Sequence, residues 1–222
     1  MKIALYGSGE FTDAVNDIDQ YLLKKYGLKS VAVIPTAAGK EHDYYKWIEM
    51  AESHYSKLGL KVIAVPALDK EAANDPKMVS LFKQSDWIFF SGGNPNYLLS
   101  SVKGSLLWQE VIKQAEGGAL LSGSSAGAMI MGQYLPANLF KALLMNKTTA
   151  WEQAFGLVRY TVIPHYDRIR KHENFIHSLI GKSPSEVQNS WIGIDENTAL
   201  LIDGEKQITL GSGSVDIHSI NK

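Results

Sequence analysis

Cysteine is absent from this 222-residue chain. A disulfide scaffold, a thiol nucleophile and a cysteine-ligated metal are therefore excluded. Charge of one sign is lacking too: 22 Lys and Arg stand against 23 Asp and Glu, a formal net charge of −1. Nothing in that balance points to nucleic acid or to an anionic membrane surface as the main partner. No apolar run approaches the roughly 20 residues of a spanning helix. The opening segment Met1–Gly7 is short and turns polar too soon for a secretory signal. H-E-x-x-H and similar metal-ligand spacings are missing, so no metal is expected. These absences lead to the expectation of a soluble cytoplasmic protein.

What is present is alternation. Short apolar runs at Lys2–Tyr6, Ser30–Ile34, Lys61–Val65, Asp86–Phe90 and Ala119–Leu121 read as strands. Between them, helical patterns cover Thr12–Tyr26, Asp43–Leu58, Pro76–Lys83, Tyr97–Val102 and Leu106–Glu116. Strands alternating with helices predict an α/β fold with a mostly parallel sheet and helices on both faces. Strands with little polar alternation fit a sheet covered on both sides. Further on, Gln133–Trp151 reads as loop with a short helix, Phe155–Pro164 as strand and Arg168–Ile180 as helix. The end reads as a short β-rich tail: Trp191–Ile194, Thr198–Ile202, Lys206–Leu210 and Ser214–Ile217. No internal repeat or linker interrupts residues 1–222, and a single domain is expected.

In open α/β sheets ligands bind beyond the carboxyl ends of the strands. Four segments fall at such ends: Gly7–Glu10, Ser91–Asn94, Ser122–Gly127 and Pro164–Arg170. The third holds Gly123-Ser124-Ser125-Ala126-Gly127, which fits G-x-S-x-G, the nucleophile-elbow pattern. Such a turn crowds the backbone, tolerates only small neighbours and tips its central side chain outward. Ser125 would stand at a helix N-terminus, where free N–H groups and the helix dipole favour negative charge. The plain alternative is a strand-to-helix loop capped by serine.

A serine hydroxyl needs a base, and the base needs an orienting group. Of six histidines, His42 and His54 fall on the second helical segment, away from strand ends, and are expected to face solvent. His172 and His177 are spaced too poorly to share a helix face as a metal pair. His218 lies in the tail, near a free end. His165 follows Val162–Pro164 at a strand end and is the favoured base. The acid candidates are Asp167, Asp195, Glu196 and Glu152. Gly92-Gly93-Asn94 can present backbone N–H groups to an oxyanion, with the N–H of Ala126 as second donor. Gly7-Ser8-Gly9 has Thr12 where a dinucleotide loop has its third glycine, and no Walker lysine appears, so a nucleotide site is not expected.

Together, Phe90–Leu98, Gly123–Ala128, Pro164–Arg168 and Gly193–Glu196 resemble the serine peptidase family of peptidase E (aspartyl dipeptidase) and cyanophycinase, in order along the whole chain. The resemblance implies a class I glutamine amidotransferase-like (flavodoxin-like) fold in which serine replaces the cysteine nucleophile. It implies hydrolysis of bonds involving aspartyl residues in a short peptide, without metal or organic cofactor. By the match, Ser125 is nucleophile and His165 base, with Gly93 and Ala126 as the oxyanion hole. In the peptidase E branch the acid precedes the histidine in an Asn-Asp context, but here Asn146–Glu152 holds no aspartate. In the cyanophycinase-like branch a glutamate in a Gly-Ile-Asp-Glu context serves, and Glu196 matches it. That branch, however, has Asp-Gln where this chain has Ile163-Pro164, so the chain mixes features of both. Asn94, Arg168 and Arg170 are the candidate substrate-binding residues, the arginines because a guanidinium can grip a carboxylate bidentately. Asp167 is expected to pair with Arg170. A homodimer is the one assembly considered. The alternative function is a non-catalytic binding protein on the same fold.

Overall fold

The computed structural model describes residues 1–138, 150–172, 180–181 and 183–219. Five strands run parallel: β1 (Lys2–Tyr6), β2 (Ser30–Ile34), β3 (Lys61–Ala64), β4 (Trp87–Phe90) and β5 (Leu120–Ser124). Between them lie α1 (Asn16–Tyr26), α2 (Tyr45–Lys57), α3 (Pro76–Leu81), α4 (Pro95–Val102) and α5 (Leu106–Glu116). A short α6 (Ala126–Met131) follows β5 directly.

The strand residues sort by parity, as a pleated sheet requires. Tyr6, Val31, Val33, Trp87, Phe89 and Leu120 face a core closed by Ile18 and Leu22 of α1 and by Ala51 and Tyr55 of α2. Their neighbours Leu5, Ala32, Ile34, Ile88, Phe90 and Leu121 face the opposite core, closed by residues of α3 to α6. Burial on both faces explains why these strands carry continuous apolar runs. Helix starts follow the sequence chemistry: Asp75, Asn94 and Ser105 each accept a backbone N–H of the first turn.

The C-terminal half departs from expectation. After β6 (Tyr134–Pro136), β7 (Trp151–Gln153), β8 (Thr161–Ile163) and β9 (Ser190–Ile194), the strands β10 (Thr198–Asp203) and β11 (Lys206–Gly211) form a hairpin. This hairpin does not stand apart as a tail. β10 lies antiparallel on β1 and makes the main sheet seven-stranded, in the order β11-β10-β1-β5-β4-β2-β3. The rest of the tail, β12 (Val215–Ser219), joins β9 and β8 in a second sheet. Of the expected strand over Phe155–Pro164 only Thr161–Ile163 is extended in a ladder. The expected helix from Arg168 starts earlier, as α7 (Tyr166–Ile169), and continues in a 3-10 turn at Arg170–His172. The rest of that expectation, with His177, and the helix expected within 133–151 lie largely outside the described residues. β6, β7 and a short α8 (Ser185–Asn189) were not legible as elements.

His54 corrects a second expectation. It is not solvated: it lies buried on α2, and its Nε2 is 2.6 Å from Asp19 Oδ2 on α1. Tyr6 donates its hydroxyl to the other oxygen of Asp19 at 2.6 Å. Burial first, and the Asp19 carboxylate second, push the Tyr6 phenol well up, so it stays a donor. Helix periodicity places position 54 with Ala51 and Tyr55, both buried, and that is the signal the position relative to strand ends concealed. His42, by contrast, is exposed.

Candidate active site

The elbow is built by close approach. A Cβ on Gly123 would lie 2.3 Å from the Gly127 carbonyl carbon, and one on Gly127 would lie 2.4 Å from the Phe90 oxygen. Side chains at either position would push β5, α6 and β4 apart. The chain turns at Ser125 with φ 49 and ψ −108, a backbone region costly for a residue with a Cβ. Ser125 N–H donates to Tyr6 O at 3.1 Å, which ties the elbow to the end of β1.

Four non-glycine residues among those described have positive φ: Phe11, Ser125, His165 and Asn197. Ser125 and His165 face each other, Asn197 follows Glu196, and Phe11 follows Glu10. Strain of this kind persists where surrounding structure over-determines it, and it clusters at functional sites.

Ser125 Oγ is 3.1 Å from His165 Nε2, and His165 Nδ1 is 2.6 Å from Glu196 Oε1. The three side chains thus form one chain of hydrogen bonds. Their carriers are not all strands of the main sheet. Ser125 follows β5, but His165 follows β8 and Glu196 follows β9, two parallel neighbours in the second sheet. The second sheet therefore brings His165 and Glu196 over the elbow. The other acid candidates stand elsewhere. Glu152 is exposed on β7. Asp195 Oδ2 accepts from Arg170 at 3.1 Å and from both the backbone and the hydroxyl of Ser214. His218 is exposed and stacked on Trp191, with ring centroids 5.1 Å apart.

Asp167 does not pair with Arg170, as the sequence suggested. Its Oδ1 accepts the backbone N–H of Glu196 at 2.9 Å. Arg170 instead reaches over to Asp195 and Ser214, with Asp216 at 3.8 Å. Three residues apart on a helical turn, the two could meet, but each is taken by the end of β9: Asp167 by the Glu196 N–H and Arg170 by the Asp195 carboxylate. Arg168 is bound to Glu196 Oε2 at 2.8 Å, yet its side chain is 72% exposed, and a guanidinium carries five N–H donors.

The Gly92-Gly93 turn lies against the serine, and Ala126 follows Ser125 in the chain. Gly93 has φ 135, and a Cβ there would meet the Ala37 backbone at 2.6 Å, so this turn requires glycine. Asn94 N–H donates to Ala37 O at 2.9 Å, and Asn94 Oδ1 caps α4 through Tyr97 N–H at 3.0 Å. Among the described residues the N–H groups of Gly93 and Ala126 have no hydrogen-bond partner. Trp47 of α2 reaches the same place: a Cβ on Gly92 would lie 3.5 Å from both its ring and Ser125 Cβ.

Sequence reasoning missed Glu10 and Trp47. Glu10 is buried at 5% exposure and holds Gly92 N–H at 2.8 Å and the Ser124 hydroxyl at 2.5 Å. Its place just after β1 is visible in the sequence, but its partners Gly92 and Ser124 lie far along the chain. No group of three or more His, Asp or Glu among the described residues is placed to hold a metal ion. No helix among them is long and apolar enough to cross a membrane.

A mostly parallel α/β sheet with a strained serine elbow, and a histidine and carboxylate in line with it, defines a class of α/β hydrolytic proteins. The comparisons give the family. Residues 3–210 match the family model of Peptidase family S51, and the chain belongs to that family. An uncharacterized peptidase of Listeria innocua is 26% identical over 96% of this chain and 99% of its own length. A cyanophycinase of Nostoc sp. is 25% identical over 71% of this chain and 53% of its own length. The crystal structure of a peptidase from an acI-B1 actinobacterium superposes with a TM-score of 0.83 at 30% identity, covering 98% of this chain and 90% of that one.

Proposed function

We propose that this peptidase acts through an acyl-enzyme on Ser125, on short peptides with an aspartyl residue at the scissile bond. The observation that carries the reading is the unbroken line from Ser125 Oγ through His165 to Glu196, at 3.1 and 2.6 Å. His165 Nε2 takes the hydroxyl proton as Ser125 attacks the carbonyl, then gives it to the leaving amine. Glu196 holds the proton on Nδ1, fixing the tautomer and stabilising the imidazolium. The tetrahedral oxygen is received by the N–H groups of Gly93 and Ala126. Water then repeats the sequence to release the acid.

The aspartyl preference rests on the local charge. Arg168 is exposed next to the triad and has N–H groups to spare, so it is the better carboxylate clamp. Arg170 already serves three acceptors and is better placed to hold Arg168's segment in position. Asn94, with its oxygen committed to the helix cap, offers only its amide NH₂. A non-catalytic binding role gives no account of an elbow strained at Ser125 and a histidine oriented on both sides. The test is a fluorophosphonate probe with mapping of the labelled residue, followed by a panel of Asp-X dipeptides, β-aspartyl dipeptides and an Asp–Arg polymer. Labelling at Ser125 and cleavage confined to aspartyl substrates are expected. An unlabelled native protein would sink the mechanism, and equal cleavage of neutral dipeptides would sink the specificity.

A further inference from the structure

The turn that carries Gly93 has little to hold it from within. Gly92 and Gly93 are consecutive, and glycine leaves the backbone more freedom than any other residue. An oxyanion donor, however, must be fixed before the reaction to be worth its full effect. The neighbouring pins are Ser91 N–H to Ile34 O at 3.3 Å on one side and Asn94 N–H to Ala37 O at 2.9 Å on the other. Between them the contact that fixes Gly92 is not to backbone. It is the Glu10 carboxylate, whose Oε1 accepts Gly92 N–H at 2.8 Å.

The second oxygen of Glu10 accepts the hydroxyl of Ser124, the residue before the nucleophile, at 2.5 Å. One buried side chain therefore grips both halves of the proposed oxyanion hole, the Gly92-Gly93 turn and the elbow that carries Ala126 N–H. Glu10 is itself held firmly. Phe11, next in the chain, takes φ 62 and is buried against Phe89 and Tyr55, at 5.0 and 5.6 Å between ring centroids. Thr12 Oγ1 donates to Gly9 O at 2.7 Å. The same loop reaches the acid's segment, because Asn197 N–H donates to Ser8 O at 3.1 Å. Burial of a carboxylate is costly unless it is hydrogen-bonded, and each oxygen of Glu10 accepts one bond here.

We propose that Glu10 is a positioning residue for acyl transfer: it clamps Gly92 N–H and Ser124 Oγ so that the Gly93 and Ala126 N–H groups converge on the tetrahedral oxygen. This rests on Ser125 as nucleophile. Glu10 touches neither substrate nor reacting atoms and acts only through the turn and the elbow. Its charge is not required. Glutamine at this position keeps an acceptor for Gly92 N–H and offers an NH₂ to Ser124 Oγ. Aspartate is one methylene shorter and cannot span both contacts.

The experiment measures the second-order rate of fluorophosphonate labelling, whose phosphonyl oxygen must enter the oxyanion hole, together with kcat and KM on a cleaved aspartyl peptide and the thermal midpoint. Glu10→Asp and Glu10→Ala should lower both the labelling rate and kcat by about 10²-fold, the scale of one misplaced or missing oxyanion donor, with KM little changed. Glu10→Gln should restore both rates to near the native value. Ser124→Ala, which removes one of the two contacts, should fall between. Should Glu10→Ala fail to fold, the contrast between Glu10→Asp and Glu10→Gln decides. A folded Glu10→Asp or Glu10→Ala protein that labels as fast as the native one overturns the clamp. So does a Glu10→Gln protein as impaired as Glu10→Ala, which would make the charge and not the geometry the working feature. A native protein that is not labelled at Ser125 would instead overturn the serine mechanism, a separate failure.

Discussion

Two histidine–carboxylate pairs in this molecule have the same length and opposite surroundings. His54–Asp19 and His165–Glu196 are each 2.6 Å apart. The first pair is 2% and 1% exposed, sealed between α1 and α2, and its spare carboxylate oxygen is taken by the Tyr6 hydroxyl. The second is 37% and 18% exposed, opens on the carboxyl ends of the strands, and its spare imidazole nitrogen faces Ser125. The hydrogen bond does not distinguish them. What does is the third partner, together with access: a phenol that stays protonated makes a closed structural unit, whereas a serine on a strained turn can be turned into a nucleophile.

The largest effect that would break this comparison is at the serine. Ser125→Ala should lower kcat by on the order of 10⁴–10⁶ with the thermal midpoint unchanged. Next is the acid of the open pair. Glu196→Gln should cost about 10⁴ in kcat through the wrong tautomer, again without unfolding. The sealed pair should respond in the other currency. Asp19→Ala leaves His54 and the Tyr6 hydroxyl buried without their partner and should cost about 3–5 kcal/mol in urea unfolding, with kcat unchanged. A folded Asp19→Ala protein of native stability but reduced kcat would show that the two pairs do not divide the labour in this way. The pH dependence has a definite sign. Burial raises the Asp19 carboxyl, against the pull of hydrogen bonds from His54 and Tyr6. Just above the ordinary carboxylate range the folded chain thus keeps a proton that the unfolded chain has lost. Stability there falls as pH rises, and Asp19→Asn should remove that component of the slope.

The same two pairs show what the sequence could and could not disclose. His165 was legible because an apolar strand, a proline and a histidine in that order mark a strand end, where sites gather. His54 was misread by the same rule, since distance from a strand end says nothing about which face of a helix a residue occupies. The serine elbow was legible because steric crowding restricts it to small residues over a few consecutive positions. The parallel sheet followed from apolar runs between helical patterns, but the placing of β10 on β1 did not, because pairing between ends of the chain leaves no local pattern. Glu10 escaped for a related reason. Its contacts lie 82 and 114 residues away. Asp167 was close in sequence to His165 and Arg170, and that proximity misled: Asp167 and Arg170 take partners 29 and 25 residues along the chain, at the end of β9.

The smallest expected effect is at Asp167. The sealed pair is fixed by packing on every side, so it needs no further support. The open pair is exposed, and its carboxylate stands on a segment where the next residue, Asn197, has φ 55. Asp167 steadies that segment by accepting Glu196 N–H at 2.9 Å. A hydrogen bond to a carboxylate contributes about 1.5–3 kcal/mol. If all of it orients Glu196 toward His165, its loss can cost at most about 10²-fold in rate, since about 1.36 kcal/mol corresponds to tenfold. Asp167→Ala should therefore lower kcat by up to about 10²-fold, less than Glu196→Gln. Asp167→Asn, which keeps an acceptor oxygen for the same N–H, should stay close to native. KM should hardly move in either variant, because among the described residues Asp167 makes no hydrogen bond or ion pair with Arg168 or Arg170. A rise in KM with kcat intact would move Asp167 from the acid's support to the substrate clamp, and an Asp167→Asn variant as slow as Glu196→Gln would mean that Asp167 bears directly on the histidine.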